Sequence, residues 1–169
     1  RAARFVASAG VWAGSVDLSS AGTIQSAGFP AVALNDAGDG VAVWLQGPGV
    51  VRAARYAAAT DTWSPAVDVA LSGTAPVVAI AASGDAVTLW SGPTGADTVI
   101  KAARYSAALG TWSAPTDISG PTALSPRIAI GPSGDAVAVW LSSDGAHTVV
   151  QAARAAAGAP HRDPPGGTG

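Results

Sequence analysis

Arg1-Ala2-Ala3-Arg4-Phe5 returns as Arg52-Ala53-Ala54-Arg55-Tyr56, then as Lys101-Ala102-Ala103-Arg104-Tyr105, and in weakened form as Gln151-Ala152-Ala153-Arg154-Ala155. The restarts lie 51, 49 and 50 residues apart. Other landmarks keep step with them. Phe5, Tyr56 and Tyr105 each stand seven residues before a tryptophan (Trp12, Trp63, Trp112), and an aspartate follows each tryptophan by five residues (Asp17, Asp68, Asp117). Next come a proline (Pro30, Pro76, Pro126), a short β-type run, a Gly-Asp pair (Gly38-Asp39, Gly84-Asp85, Gly134-Asp135) and a second tryptophan (Trp44, Trp90, Trp140). A fixed period of this length marks a repeat architecture, in which one unit cannot bury its apolar face alone and neighbours stack to do so. Residues 1–155 therefore read as a three-unit array (1–51, 52–100 and 101–150) with the start of a fourth at 151.

Each unit reads as four antiparallel strands. In the third copy, Arg127–Ile130 is followed by the turn Gly131-Pro132-Ser133-Gly134-Asp135, which closes a hairpin onto Ala136–Trp140. Thr148–Arg154 supplies the third strand, and Thr111–Ile118 is a fourth strand one copy earlier. The Ala-rich segment 53–59 would score as helix on propensity. Val50-Val51 precede it, a Thr-Trp strand follows it, and it is shorter than the roughly 12 residues a marginal helix needs. Strand is the better reading, with small side chains that let neighbouring sheets approach closely. The predicted fold is all-β, a β-propeller-like array of three four-stranded blades.

Composition narrows the function. The 169 residues carry a net charge of −2, so no basic surface points to nucleic acid or anionic lipid. All eleven acids are Asp and eight of the nine bases are Arg. The absence of cysteine excludes disulfides and thiolate metal sites. No stretch approaches the roughly 20 apolar residues of a membrane-spanning helix. The chain starts at Arg1 without a signal peptide and reads as a piece of something longer. The Pro/Gly-rich residues 156–169 read as a tail or linker.

These motifs carry resemblances. The aromatic-to-Trp spacing (Tyr56 to Trp63, Tyr105 to Trp112) and the period resemble kelch repeats, although Leu45, Ser91 and Leu141 follow the second tryptophans where kelch ends its second strand on a double glycine. Gly134–Trp140, Ala103–Tyr105 and Gly110–Trp112 resemble bacterial extracytoplasmic repeats with a Gly-(Asp/Asn)-Ala-x-Ala-Val-Trp strand, an Ala-x-Arg-Tyr strand and a Gly-Thr-Trp turn. That resemblance implies β-propellers on exported proteins. Ser133-x-Asp135-x4-Trp140 and Ser83-x-Asp85-x4-Trp90 are partly similar to the Asp-box of sialidase-type propellers, and here they read as hairpin chemistry.

Candidate sites follow the repeat. Arg4 and Asp17, Arg55 and Asp68, and Arg104 and Asp117 are each 13 residues apart across the hairpin of strands three and four. A two-residue turn would set each pair directly opposite as structural ion pairs, while a four-residue loop would offset them. Trp12, Trp63 and Trp112 lie just past a turn and are the candidates for stacking on a sugar, against the competing role of packing between blades. His147 and Asp144 share a loop too poor in ligands for a metal, and no metal or cofactor site is expected. Without Glu, an acid/base pair would have to be built from Asp alone, so catalysis finds little support.

The expected function is a non-catalytic, extracellular or periplasmic binding or scaffolding module with a glycan or protein ligand. The alternatives are the propeller portion of a larger glycan-active enzyme and a purely structural repeat. Three blades do not close a ring, so a homo-oligomer or a longer parent chain is expected to complete it, with Val11–Leu18 available as the missing fourth strand of the last blade.

Overall fold

The computed structural model describes residues 1–19 and 26–156. Among the described residues there is no helix, and every strand pairing is antiparallel. The strands form four sheets. A leading hairpin joins β1 (Phe5–Val6) to β2 (Val11–Trp12) and is extended by an Ala2–Val16 bridge. The first large sheet contains β3 (Ala27–Leu34), β4 (Gly40–Gln46), β5 (Val50–Ala57), β6 (Thr62–Trp63) and β7 (Val67–Ala70). The second repeats the pattern with β8 (Thr74–Ile80), β9 (Ala86–Thr94), β10 (Asp97–Ser106), β11 (Thr111–Trp112) and β12 (Thr116–Asp117). The third holds β13 (Leu124–Ile130), β14 (Ala136–Ser143) and β15 (Thr148–Ala155). The Ala-Ala-Arg segments are strand in β5, β10 and β15, while in the first copy Ala2 makes only the isolated bridge to Val16.

Two expectations need correction. The fourth strand is not continuous but breaks into β6 and β7, and into β11 and β12, around Pro65 and Pro115. A proline has no N–H to give to the ladder. A serine stitches the gap instead: the backbone N–H of Arg55 donates to Ser64 Oγ (3.0 Å) and that of Ser64 to the Arg55 carbonyl (2.7 Å), with the same distances at Arg104 and Ser113. The third sheet has three strands, and Val11–Trp12 pairs with Phe5–Val6 rather than completing it. The Pro/Gly-rich tail reading falls almost wholly on residues outside those described.

The Gly-Asp hairpins are built alike in all three sheets. Gly38, Gly84 and Gly134 have φ of 85°, 85° and 86°, a region that glycine enters without a side-chain clash. Their N–H groups donate to the carbonyls of Asn35, Ala81 and Gly131 (2.9, 3.0 and 2.9 Å). Asp39 and Asp85 then reach past the turn, each accepting a backbone N–H just beyond the third strand, from Ala58 (2.9 Å) and Ala107 (2.8 Å). Their role is to tie strand three to the turn. Each first strand also carries a bulge before its proline, where Phe29, Ala75 and Ser125 take φ of 51°, 49° and 56°.

Alternation along the middle strands divides each sheet into two unlike faces. Val41, Val43, Leu45, Val51 and Ala53 of the first sheet form one core with Ile80, Ala86, Trp90 and Ala103 of the second. The second sheet's other face gives Leu89 and Ile100 to a core with Ala123, Ala138 and Trp140 of the third. Ala42, Trp44 and Ala54 of the first sheet face back toward Leu18, just beyond the leading hairpin. Each sheet thus meets its predecessor with an Ala/Trp face and its successor with a Val/Leu face. The first strands sit side by side, β3 against β8 and β8 against β13. The stack does not close, because Val137, Leu141 and Val150 on the outer face of the third sheet are exposed.

Gly73, on the link between the first two sheets, marks how close the approach is. A Cβ there would fall 2.3 Å from Trp90 Cδ1 and 2.9 Å from Val51 Cγ2. Gly73→Ala is therefore expected to cost about 1–3 kcal/mol in chemical denaturation, whereas Gly120→Ala, whose Cβ would meet nothing within 4 Å, should stay within about 0.5 kcal/mol of wild type.

Candidate functional site

The repeated hairpin of strands three and four brings the singled-out residues together, though not in the pairs the spacing suggested. Its loop has four residues, because Tyr56 pairs with Trp63 and Ala57 with Thr62, and Tyr105 with Trp112 and Ser106 with Thr111. Past the Ser-Pro break the register moves by one, which sets Asp68 opposite Arg52 and Asp117 opposite Lys101. The aspartates therefore pair with the first base of each motif. Arg1 Nε meets Asp17 Oδ1 at 2.9 Å, Arg52 Nε meets Asp68 Oδ1 at 2.7 Å, and Lys101 Nζ meets Asp117 Oδ1 at 2.5 Å. The expected pairings Arg4–Asp17, Arg55–Asp68 and Arg104–Asp117 are corrected accordingly. The exposed Arg1–Asp17 pair contributes about 0–1 kcal/mol, while Arg52 and Lys101 are only partly exposed.

The second arginine has a different task. Arg4 reaches from the leading hairpin to Asp61 of the first sheet (Nη2 to Oδ2, 3.0 Å). Arg55 of the first sheet stacks over the Tyr105 ring of the second, its guanidinium carbon 4.4 Å from the ring centroid. Its Nε is buried without a hydrogen-bond partner, so its contact is with the π face. The fourth motif continues differently: Arg154 pairs with Asp135 of its own sheet at 3.2 Å. Sequence reasoning missed this forward reach because it runs between sheets, and a hairpin drawn alone does not contain it.

The six tryptophans separate by exposure. Trp44, Trp90 and Trp140 lie in the cores. Trp63 and Trp112 are half-buried, each packing on the Ala/Trp side of its own sheet. Trp12, on the leading hairpin, is 69% exposed. Each of this second set meets its aromatic partner at 5.3–5.6 Å between ring centroids, edge-to-face for Phe5–Trp12 and Tyr105–Trp112 and tilted for Tyr56–Trp63.

Around Tyr105 and Trp112 the surface opens into a cleft of about 220 Å³. Asp85, Arg104, Ser106, Leu109, Thr111 and Ser113 complete its wall. Asp85 arrives from the Gly-Asp turn, Arg104, Tyr105 and Ser106 from β10, and the remainder from the hairpin loop and the residues beyond it. Aromatic rings beside hydroxyls, a guanidinium and a carboxylate can hold a polyhydroxylated ligand by ring contact and by charge-assisted hydrogen bonds. The equivalent position in the first sheet is altered by Asp61, which stands where Gly110 stands in the second. The Tyr56 hydroxyl donates to Asp61 Oδ1 at 2.5 Å. This bond raises the Tyr56 pKa above the ordinary tyrosine value and lowers that of Asp61 below the ordinary aspartate value.

The His147 loop is organised by its acid. Asp144 Oδ1 accepts the backbone N–H groups of His147 (2.6 Å) and Ala146 (2.9 Å), and these hold its carboxyl below the usual range. Among the described residues no cluster of three or more His, Cys, Asp or Glu is placed to hold a metal ion.

No protein-family model matches this chain, and no curated protein does. Among solved structures it is similar to the Hadza microbial sialidase Hz136, at 14% identity and a TM-score of 0.52, over 76% of this chain and 31% of that one. It is also similar to the GH43 endo-arabinanase from Bacillus licheniformis, at 14% identity and a TM-score of 0.44, over 87% of this chain and 60% of that one. This chain thus spans less than a third of the sialidase's length and three fifths of the arabinanase's. The sialidase likeness shows a shared fold.

The Tyr56–Asp61 bond has a measurable signature. In a Tyr105→Phe background, where Tyr56 is the sole tyrosine, Asp61→Asn should bring tyrosine ionisation down toward the ordinary range in a spectrophotometric titration. Because the folded Asp61 pKa is lowered, its stabilising effect is present above the ordinary aspartate value of about 3.9 and is lost as pH falls through the lowered one. Asp61→Asn should therefore destabilise at neutral pH, and the difference from wild type should close in acid.

Proposed function

We propose that this chain is a segment of a β-propeller that serves outside the cytoplasm as a non-catalytic binding module, with a glycan as its ligand and the Tyr105–Trp112 cleft as its site. The cleft carries the reading. It is open to solvent and lined by Tyr105 and Trp112 together with Asp85, Arg104, Thr111 and Ser113, a mixture that suits the apolar face and hydroxyl rim of a sugar. The face-to-face succession of unlike-faced sheets supports the propeller part, as does the sialidase fold likeness. That likeness also favours a second reading, in which this is the propeller portion of a larger glycan-active enzyme whose reacting groups lie elsewhere. A protein ligand would want a flatter and more apolar patch.

A glycan array followed by calorimetry tests the reading. The chain should bind a related subset of glycans. Trp112→Ala should weaken that binding at least tenfold while the β-type circular dichroism is retained, and Trp112→Phe, which keeps a ring on Tyr105, should weaken it less. No glycan bound by the wild-type chain, or undiminished binding by a folded Trp112→Ala variant, would count against it.

A further inference from the structure

The junction between one hairpin of strands three and four and the next occurs twice, and its chemistry turns on one position. In both copies that position takes a left-handed backbone: Asp61 at φ 52° in the first sheet and Gly110 at φ 70° in the second. Aspartate enters this region more readily than most residues with a side chain. The neighbours are alike, since Tyr56, Trp63 and Ser64 hold the repeat positions of Tyr105, Trp112 and Ser113.

At the first junction a carboxylate is built in. Asp61 Oδ1 accepts the Tyr56 hydroxyl at 2.5 Å, and Asp61 Oδ2 meets Nη2 of Arg4, from the preceding hairpin, at 3.0 Å. Hydroxyl and guanidinium thus share one carboxyl group. At the second junction both partners recur without the acid. Arg55 is the repeat counterpart of Arg4, and Tyr105 of Tyr56. Arg55 also comes from the preceding hairpin, but it rests on the Tyr105 ring with its Nε buried and unpartnered. Among the described residues Arg55 makes no ion pair, and the Tyr105 hydroxyl makes no hydrogen bond. A Cβ on Gly110 would lie 3.9 Å from that hydroxyl and meet nothing else within 4 Å. The space that the Asp61 side chain fills at the first junction is therefore open at the second. Leaving a buried donor without an acceptor costs stability, and a planar guanidinium is well matched to a carboxylate.

We propose that the ligand of the Tyr105–Trp112 cleft is an acidic sugar, a hexuronate, whose carboxylate takes at the second junction the place that Asp61 takes at the first. It accepts the Tyr105 hydroxyl and pairs with Arg55, which turns from the ring face toward it as Arg4 is turned toward Asp61. The proposal rests on the glycan reading of the cleft and narrows it. The chain's own stand-in is a carboxylate, which selects the acid. The rings and hydroxyls of Tyr105, Trp112, Thr111 and Ser113 select the sugar that carries it. Asp61 occupies the equivalent place in the first sheet, so that junction takes no such ligand.

Calorimetry tests it with trisaccharides of galacturonic, glucuronic and mannuronic acid, each beside its carboxyl-reduced, neutral counterpart. At least one acidic form should bind about tenfold or more tightly than its reduced form, the worth of one hydrogen bond to a charged group. Arg55→Gln and Gly110→Asp, with the β-type circular dichroism retained, should each remove that preference. Gly110→Ala, which brings the backbone strain without the carboxylate, should keep more of it than Gly110→Asp. If Gly110→Asp does not fold, Arg55→Gln decides. Equal binding of acidic and neutral forms, or a preference that survives in either folded variant, overturns the inference and leaves the glycan reading standing. If neither kind of sugar binds, the glycan reading falls and this inference falls with it.

Discussion

The contact between a Val/Leu face and the Ala/Trp face of the following sheet is the interaction on which this molecule depends. An isolated antiparallel sheet of this size leaves one apolar face in water. Each fully buried Val, Leu or Ile contributes about 1.5–3 kcal/mol, and the first interface alone sequesters Val41, Val43 and Val51 completely. The edge ion pairs contribute far less. They lie at the outer rim, where Arg52–Asp68 and Lys101–Asp117 set the register of the broken fourth strand. Apolar contact holds the stack together, and charge aligns its periphery.

This division explains the composition. Alanine on one face and a single large tryptophan per middle strand allow two sheets to approach closely around one bulky ring, as Trp90 does against Val51 and Gly73. The second tryptophan of each unit is placed differently, on the short hairpin at the outer edge. There it completes an aromatic pair and leaves part of a ring available. Core and candidate site are thus served by the same residue type at two repeat positions, and the position decides the role. Between sheets, Arg55 on Tyr105 and Arg4 on Asp61 fasten adjacent hairpins and so bear on the shape of any site formed there.

Much of the fold was legible because the chain repeats itself. The strand assignments of the later Ala-Ala-Arg segments and the Gly-Asp hairpins follow from residues aligned at three offsets. The ion pairs were not legible in detail, for two local reasons. A four-residue loop and a one-residue shift at Pro65 and Pro115 move each aspartate from the second base of its motif to the first, and neither can be read from spacing alone. The cleft was half legible. Trp112 was identifiable from its place after a turn, but Asp85 joins it only through the Gly-Asp turn, whose side chain reaches toward the neighbouring strand's end. The forward reach of Arg55 was invisible, since it crosses from one sheet to the next.

The central claim is that successive units pack face to face through Val51 and Trp90. A double-mutant cycle on Val51→Ala and Trp90→Phe, read by denaturant unfolding, tests it most directly. Face-to-face packing predicts a coupling of about 0.5–3 kcal/mol between the two substitutions. Effects that simply add, to within about 0.3–0.5 kcal/mol, would contradict it, because residues on sheets that do not touch have nothing to share.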